Sequence, residues 1–167
     1  MKHKVTMHGN PLNLIGNIPE IGQKAPDFTV FDNTLALKHF SDYYGKTLVI
    51  SAVPSLDTPV CDMETRKFNE MAANLGDNVQ VLTISMDLPF AQARWCGAAG
   101  IERVQTLSDY AQASFGENYG ILIENLRLLA RAVFIIDKNG ILQYVQLVPE
   151  VSQEPDYDAV LNAVKQL

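Results

Sequence analysis

The sequence predicts an α/β fold built on a mixed β-sheet, and three observations carry that prediction. An apolar run (Leu48 to Val53), a helix-like run (Asp62 to Leu75) and a second apolar run (Val79 to Met86) follow one another. That strand–helix–strand order demands parallel pairing. Further on, Ala130–Ile136 and Ile141–Val148 flank Asp137-Lys138-Asn139-Gly140, a turn that makes the two runs an antiparallel hairpin. The chain closes with Asp156–Leu167, where Tyr157, Val160, Leu161 and Val164 fall on one face of a helix.

Taken in order, residues 3–7 and 12–15 flank Gly9-Asn10-Pro11 and read as an N-terminal β-hairpin. Ile21–Asp27 is a loop, and Phe28–Phe31 and Leu35–His39 are short strands across the turn Asp32-Asn33-Thr34. The strand at 47–53 runs through Pro54-Ser55-Leu56-Asp57-Thr58-Pro59-Val60-Cys61 into a helix. Thr58 is a good N-cap, and Pro59 suits the first helical position, where its missing N–H costs nothing. Cys61, Thr65, Phe68, Ala72 and Leu75 then recur at three- and four-residue spacing along one face. Phe90–Ala99 begins a second helix after Asp87-Leu88-Pro89, and Val104–Leu107 is a short strand. Met86, Phe90 and Trp95 read as a core grouping, with the lining of an apolar substrate channel as the alternative. Residues 116–129 have no single reading: Ile121–Leu129 fits either a helix or a loop packed on the core. With no repeat, low-complexity tract or linker, residues 1–167 are expected to form one domain.

A chain of 167 residues buries roughly 70% of the surface its unfolded form exposes. Hydrophobic residues at 47% and charged residues at 19% place it among ordinary globular proteins. The net charge of −6 and the lack of a basic run argue against nucleic acid or an anionic membrane as partner. The start, Met1 to His8, is basic but leads into Gly9-Asn10-Pro11 with no apolar segment, so no secretory signal is read there. No run approaches the ~20 apolar residues of a membrane span, and a cytoplasmic location is expected. Its two cysteines are then free thiols or a couple that cycles. His3, His8 and His39 are scattered and neither cysteine has a partner at ligand spacing, so no metal site is expected.

Cys61 falls in the first turn of its helix, where free backbone N–H groups and the positive dipole end favour a thiolate. Reduction of a peroxide by a thiolate needs the O–O bond in line with the sulfur and a stabilised leaving oxygen. Thr58, one turn earlier, can bring its hydroxyl to the sulfur, and Pro54 can shield the pocket from water. A cation is missing locally, since Arg66 and Lys67 lie further along the helix and face solvent. Arg131 is the better candidate. Set in the apolar run Leu128 to Ile136, it must reach a carboxylate, a carbonyl cluster or the Cys61 thiolate, because a buried charge without a partner is expensive.

Pro54-x-x-x-Thr58-x-x-Cys61, the upstream Ala25-Pro26-Asp27-Phe28 and Arg131 together resemble the peroxiredoxins. Ser85-Met86-Asp87-Leu88-Pro89-Phe90-Ala91-Gln92 followed by Arg94-Trp95-Cys96-Gly97 is similar to their bacterial thiol peroxidase subgroup. The resemblance runs from the first hairpin to the last helix. It implies a thioredoxin-like fold, a central mixed sheet flanked by helices, and a homodimer. It further implies that Cys61 is the peroxidatic cysteine, oxidised to a sulfenic acid by hydrogen peroxide or alkyl hydroperoxides. Thr58 and Arg131 would orient and activate thiolate and peroxide, and Pro54 would cover the sulfur. Cys96 would be the resolving cysteine, giving an intramolecular disulfide that thioredoxin reduces, with no metal or organic cofactor.

Cys96 lies 35 positions after Cys61 in the small-residue run Ala93 to Gly100, whose helix should loosen readily. Cysteines on two helices often exceed the Cα separation of about 7 Å that a disulfide tolerates, so unwinding of the Cys61 turn and movement of the Cys96 segment are expected. Three other readings stay open from the residues. A thiol–disulfide oxidoreductase would show C-x-x-C, but Thr58 holds the first position. A cysteine hydrolase needs a histidine base, and His39 has no oriented partner in view. A peroxide sensor uses the same chemistry as the peroxidase.

Overall fold

A computed structural model of the protein describes residues 3–167; Met1 and Lys2, part of the basic start noted above, lie outside the described residues. Among the described residues there are ten strands and four α-helices, and the strands form two sheets. A small one has the order β1 (Lys4–Met7), β2 (Asn10–Ile15), β8 (Leu122–Ile123), and a seven-stranded one the order β10 (Leu142–Leu147), β9 (Ala132–Ile136), β5 (Thr47–Ala52), β6 (Val79–Ser85), β7 (Val104–Ser108), β3 (Thr29–Phe31), β4 (Leu37–His39).

The N-terminal hairpin is β1 (Lys4–Met7) and β2 (Asn10–Ile15), joined by His8 and Gly9, both at positive φ. The short strands β3 (Thr29–Phe31) and β4 (Leu37–His39) pair antiparallel as expected and form one edge of the large sheet. Its centre is β5 (Thr47–Ala52), β6 (Val79–Ser85) and β7 (Val104–Ser108), all parallel. The crossovers between them contain α1 (Pro59–Ala72) and α2 (Pro89–Ala99). On the other side of β5 the C-terminal hairpin, β9 (Ala132–Ile136) and β10 (Leu142–Leu147), pairs antiparallel. The last helix, α4 (Tyr157–Lys165), is capped by Asp156, whose side chain accepts from the Ala159 N–H at 3.0 Å.

Residues 116–129, ambiguous in sequence, are neither a long helix nor a loop alone. They contain the end of a single-turn helix, α3 (Ser114–Asn118), and the two-residue strand β8 (Leu122–Ile123), which pairs with β2. The core grouping expected of Met86, Phe90 and Trp95 also needs correction: Phe90 is 67% exposed. The buried face of α2 passes through Gln92, whose side-chain amide donates to Ser85 Oγ at 3.0 Å and the Leu107 carbonyl at 2.8 Å. Two positions on a helix are about 200° apart, so seating Gln92 inward turns Phe90 outward.

The side-chain period of β5 decides what the site can be. Leu48, Ile50 and Ala52 point to one face, packing with Phe134 and Ile136 of β9 over Phe28, Phe115 and Tyr119. Val49 points to the other, where Phe68 of α1 and Val160 and Val164 of α4 cover Val133 and Ile135. Ser51 shares the α1-facing parity of Val49, and Arg131 that of Val133 and Ile135.

Gly120, just before β8, passes close against the Asn17–Ile18 backbone that follows β2. It has φ +71, and a Cβ there would lie 2.3 Å from the Asn17 carbonyl carbon and 2.5 Å from the Ile18 nitrogen. Gly120→Ala therefore combines strained φ with backbone overlap and is expected to cost about 2–3 kcal/mol, read from the urea unfolding midpoint.

Candidate active site

The last β5–β9 pair is Ala52 opposite Ala132. One residue beyond it on one strand is Val53, which leads to the cysteine loop; one residue before it on the other is Arg131. The sheet register therefore delivers the arginine to the place where the loop begins. α1 starts at Pro59 with Thr58 in extended conformation before it, and the first helical bond runs from the Asp62 N–H to the Thr58 carbonyl at 3.0 Å. Cys61 and Glu64 lie three residues apart on the inward face of α1, and neither shows exposed surface.

Arg131 is 2% exposed and reaches all three kinds of partner anticipated for it. Its Nη1 pairs with Glu64 Oε2, its Nε donates to the Val151 carbonyl at 2.9 Å, and its Nη2 donates to Cys61 Sγ at 3.2 Å. The second Glu64 oxygen accepts from Ser51 Oγ at 2.9 Å. Burial works against the Arg131 charge, but the Glu64 carboxylate and then the Cys61 sulfur hold the guanidinium above its usual range. Burial likewise pushes the Glu64 carboxyl up, opposed by Arg131 and by the Ser51 hydrogen bond.

Beside this cage is a cavity of about 480 Å³ with Arg131 in its lining. The rest of the lining comes from Pro54, Thr58, Pro59 and Val60 around the start of α1, from Met7 and His8 of the N-terminal hairpin, and from Val151 and Ser152. A small molecule in this cavity meets apolar walls and one guanidinium that already touches a thiol sulfur.

Comparison with known proteins agrees with this architecture. The redoxin family model matches residues 20–161. The thiol peroxidase of Oceanobacillus iheyensis is 58% identical over 95% of this chain and 96% of its own. That of Bacillus subtilis is 52% identical over 98% of both. The chain belongs to the redoxin family, among the thiol peroxidases. Its fold follows the crystal structure of a peroxiredoxin-like protein from Aquifex aeolicus with a TM-score of 0.92 and 46% identity, over 99% of this chain and 98% of that one. A thiol peroxidase from Chromobacterium violaceum, 19% identical, shares the fold at a TM-score of 0.87 over 98% and 95% of the two chains. The protein is accordingly a thiol-dependent peroxidase with the thioredoxin-like architecture of redoxins.

Within this peroxidase the sequence-derived candidates fall into three groups. Cys61, Arg131 and Pro54 meet at the cage and its cavity. Thr58 lines the cavity, but its hydroxyl does not reach the sulfur and makes no helix cap; it donates to the Ser55 carbonyl at 2.8 Å. The loop three residues back has claimed it. Cys96 is a free thiol on α2, and its sulfur lies 3.3 Å from Thr106 Oγ1 on β7, away from the cage.

Two tethers join the cysteine loop and α1 to the segment that carries Cys96. Asp87 accepts from Ser55 Oγ at 2.7 Å and from the Leu56 N–H at 2.8 Å. Asp62 accepts from the Trp95 indole N–H at 2.8 Å and from Arg66 Nε at 3.0 Å.

Glu64 is the functional residue that motif reasoning passes over. Its signal was an acid on the same inward stripe as Cys61 and Phe68, in a chain with a buried arginine still lacking a carboxylate. Glu64→Ala leaves Arg131 without its carboxylate, and a stability loss of about 3 kcal/mol or more is expected in chemical denaturation.

Proposed function

We propose that this enzyme reduces hydrogen peroxide and alkyl hydroperoxides through Cys61, with Cys96 as the resolving thiol and thioredoxin as reductant. The observation that carries the reading is Arg131 Nη2 at 3.2 Å from Cys61 Sγ, in a buried cage beside an apolar cavity. The Cys61 thiolate attacks the nearer peroxide oxygen, the O–O bond breaks, and the leaving oxygen takes a proton and departs as water or an alcohol. Arg131 holds the sulfur and the developing charge in one guanidinium plane, where a donor already in position needs no reorganisation. Pro54 and Thr58 line that cavity, and in this reading Pro54 covers the sulfur and Thr58 borders the approach of the peroxide.

The resulting sulfenic acid sits on the first, reversible rung of thiol oxidation. The Cys96 thiolate attacks its sulfur, hydroxide leaves with a proton as water, and a Cys61–Cys96 disulfide forms. Thioredoxin returns two electrons by exchange, becoming a disulfide itself. The cycle suits antioxidant defence in the cytoplasm, by a chain acting as one domain over residues 1–167 and assembled as a homodimer.

Peroxide consumption coupled to thioredoxin, its reductase and NADPH tests the assignment. Cys61→Ser is expected to abolish turnover with hydrogen peroxide and with an alkyl hydroperoxide, whereas Cys96→Ser retains one turnover per thiol. Steady-state activity in Cys61→Ser would refute the reading.

Because Cys96 faces Thr106 and the cysteine loop is tethered through Asp87 and Asp62, disulfide formation requires those segments to open. Amide exchange over residues 56–66 and 92–99 is expected to be faster in the disulfide form than in the reduced form.

A further inference from the structure

The part of the cavity wall that comes from the N-terminal hairpin and the 149–152 turn is held by backbone bonds and one carboxylate. Glu150 accepts four hydrogen bonds, two on each oxygen. Oε1 takes the Gly9 N–H at 2.9 Å and Thr6 Oγ1 at 3.2 Å; Oε2 takes the Ser152 N–H at 2.8 Å and Ser152 Oγ at 2.6 Å. The donors on Oε1 belong to the N-terminal hairpin and those on Oε2 to the turn after β10, so the carboxylate bridges two segments that sequence separates by 141 positions at Gly9. Backbone bonds run beside it, from the Thr6 N–H to the Pro149 carbonyl and from the Val151 N–H to the Thr6 carbonyl, both at 2.8 Å. The Ser152 hydroxyl and N–H, then Gly9 and Thr6, hold the Glu150 carboxyl down at about 2, so the bridge stays ionised across the working range.

Both bridged segments face the cavity. Met7 and His8 come from the hairpin side, Val151 and Ser152 from the turn side. The Val151 carbonyl also takes Arg131 Nε, so the wall is seated at a set distance from the guanidinium that touches Cys61 Sγ. His8 and Gly9 are in left-handed conformation at φ 51 and 82, a tight turn whose Gly9 N–H points at Glu150.

We propose that Glu150 is a specificity-determining positioning residue, which clamps the hairpin to the 149–152 turn and so shapes the wall that a bulky apolar hydroperoxide must contact. The proposal rests on the reading of Cys61 as the peroxide-reactive thiol. Hydrogen peroxide spans only the reacting sulfur and the guanidinium, and gains nothing from the wall. An arylalkyl hydroperoxide fills part of the 480 Å³ beside Arg131, and its apolar body packs on Met7 and Val151. Releasing the clamp leaves the Thr6 backbone bonds in place but frees the His8–Gly9 turn and Ser152 beside them, and the larger substrate loses contacts that the smaller never made.

The test is the ratio of kcat/KM for cumene hydroperoxide to kcat/KM for hydrogen peroxide, measured on the whole chain with the thioredoxin system. In Glu150→Ala the ratio is expected to fall about tenfold, carried mainly by a raised KM for cumene hydroperoxide. Glu150→Gln keeps the shape of the side chain but turns an NH2 toward one set of donors, and a fall of about threefold is expected. It also serves as the second variant should Glu150→Ala fail to fold. A ratio within twofold of the unaltered protein in a folded variant overturns the proposal, including the case where both substrates slow equally, as a purely structural role would give. Failure of the unaltered protein to turn over either peroxide would instead overturn the reading of Cys61.

Discussion

A guanidinium sealed inside a β-sheet protein sets conditions that much else must meet. Arg131 is surrounded by a carboxylate from α1, a carbonyl from the turn after β10 and the Cys61 sulfur. Such a cluster is a poor source of stability, because the desolvation of two charges offsets most of their attraction. Its value lies in what it requires of the surroundings. Arg131 must have the parity of Val133 and Ile135, or it would enter the aromatic face with Phe115 and Tyr119. α1 must begin where it does, so that residues three apart bring Cys61 and Glu64 inward together. Ser51 must share that face, since the second Glu64 oxygen would otherwise be buried without a donor.

The site is closed in one respect and breakable in another. The cage around the sulfur is buried, and its guanidinium and carboxylate are held by hydrogen bonds, which suits a reaction that gains from donors fixed in advance. The ties around the cage are of a different kind. Ser55, Leu56 and Trp95 are held by the carboxylates of Asp87 and Asp62, short polar contacts at partly exposed positions. Contacts of this sort exchange for water at small net cost, unlike the apolar packing of Val49 and Phe68 behind them. The molecule therefore concentrates its rigidity behind the cysteine and its weak links on the Cys96 side.

Much of this was legible from sequence because it follows from period and punctuation. The strand at 47–53, the helix entered through Thr58 and Pro59, and the hairpin across Asp137–Gly140 each combine a regular apolar pattern with a turn or cap, and each formed where expected. Arg131 stood out because its neighbours were all apolar. What escaped was set by tertiary pairing. The strand Leu122–Ile123 exists only because β2 lies beside it, and two residues carry no period. Phe90 faces outward because Gln92 finds two acceptors inside, a choice invisible until β6 and β7 are placed. Thr58 was rightly located before the helix, but its hydroxyl had a nearer acceptor in the Ser55 carbonyl. Glu64 stands on the inward stripe of its helix, but what it does there depends on a partner 67 positions away.

The antiparallel pairing of β9 on β5 also has a meaning in time. The cysteine and its arginine are 70 positions apart, with β6 and β7 between them, so no local segment can bring them together. As the chain emerges during synthesis, β5, α1 and β6 are complete while the arginine has yet to be made. Loop closure over that span comes late, after the local contacts have formed. The sulfur thus passes the early part of its existence without the guanidinium, and acquires that neighbour only when the C-terminal hairpin docks. The helix that carries the sulfur is local, and its contact with the guanidinium belongs to the completed sheet.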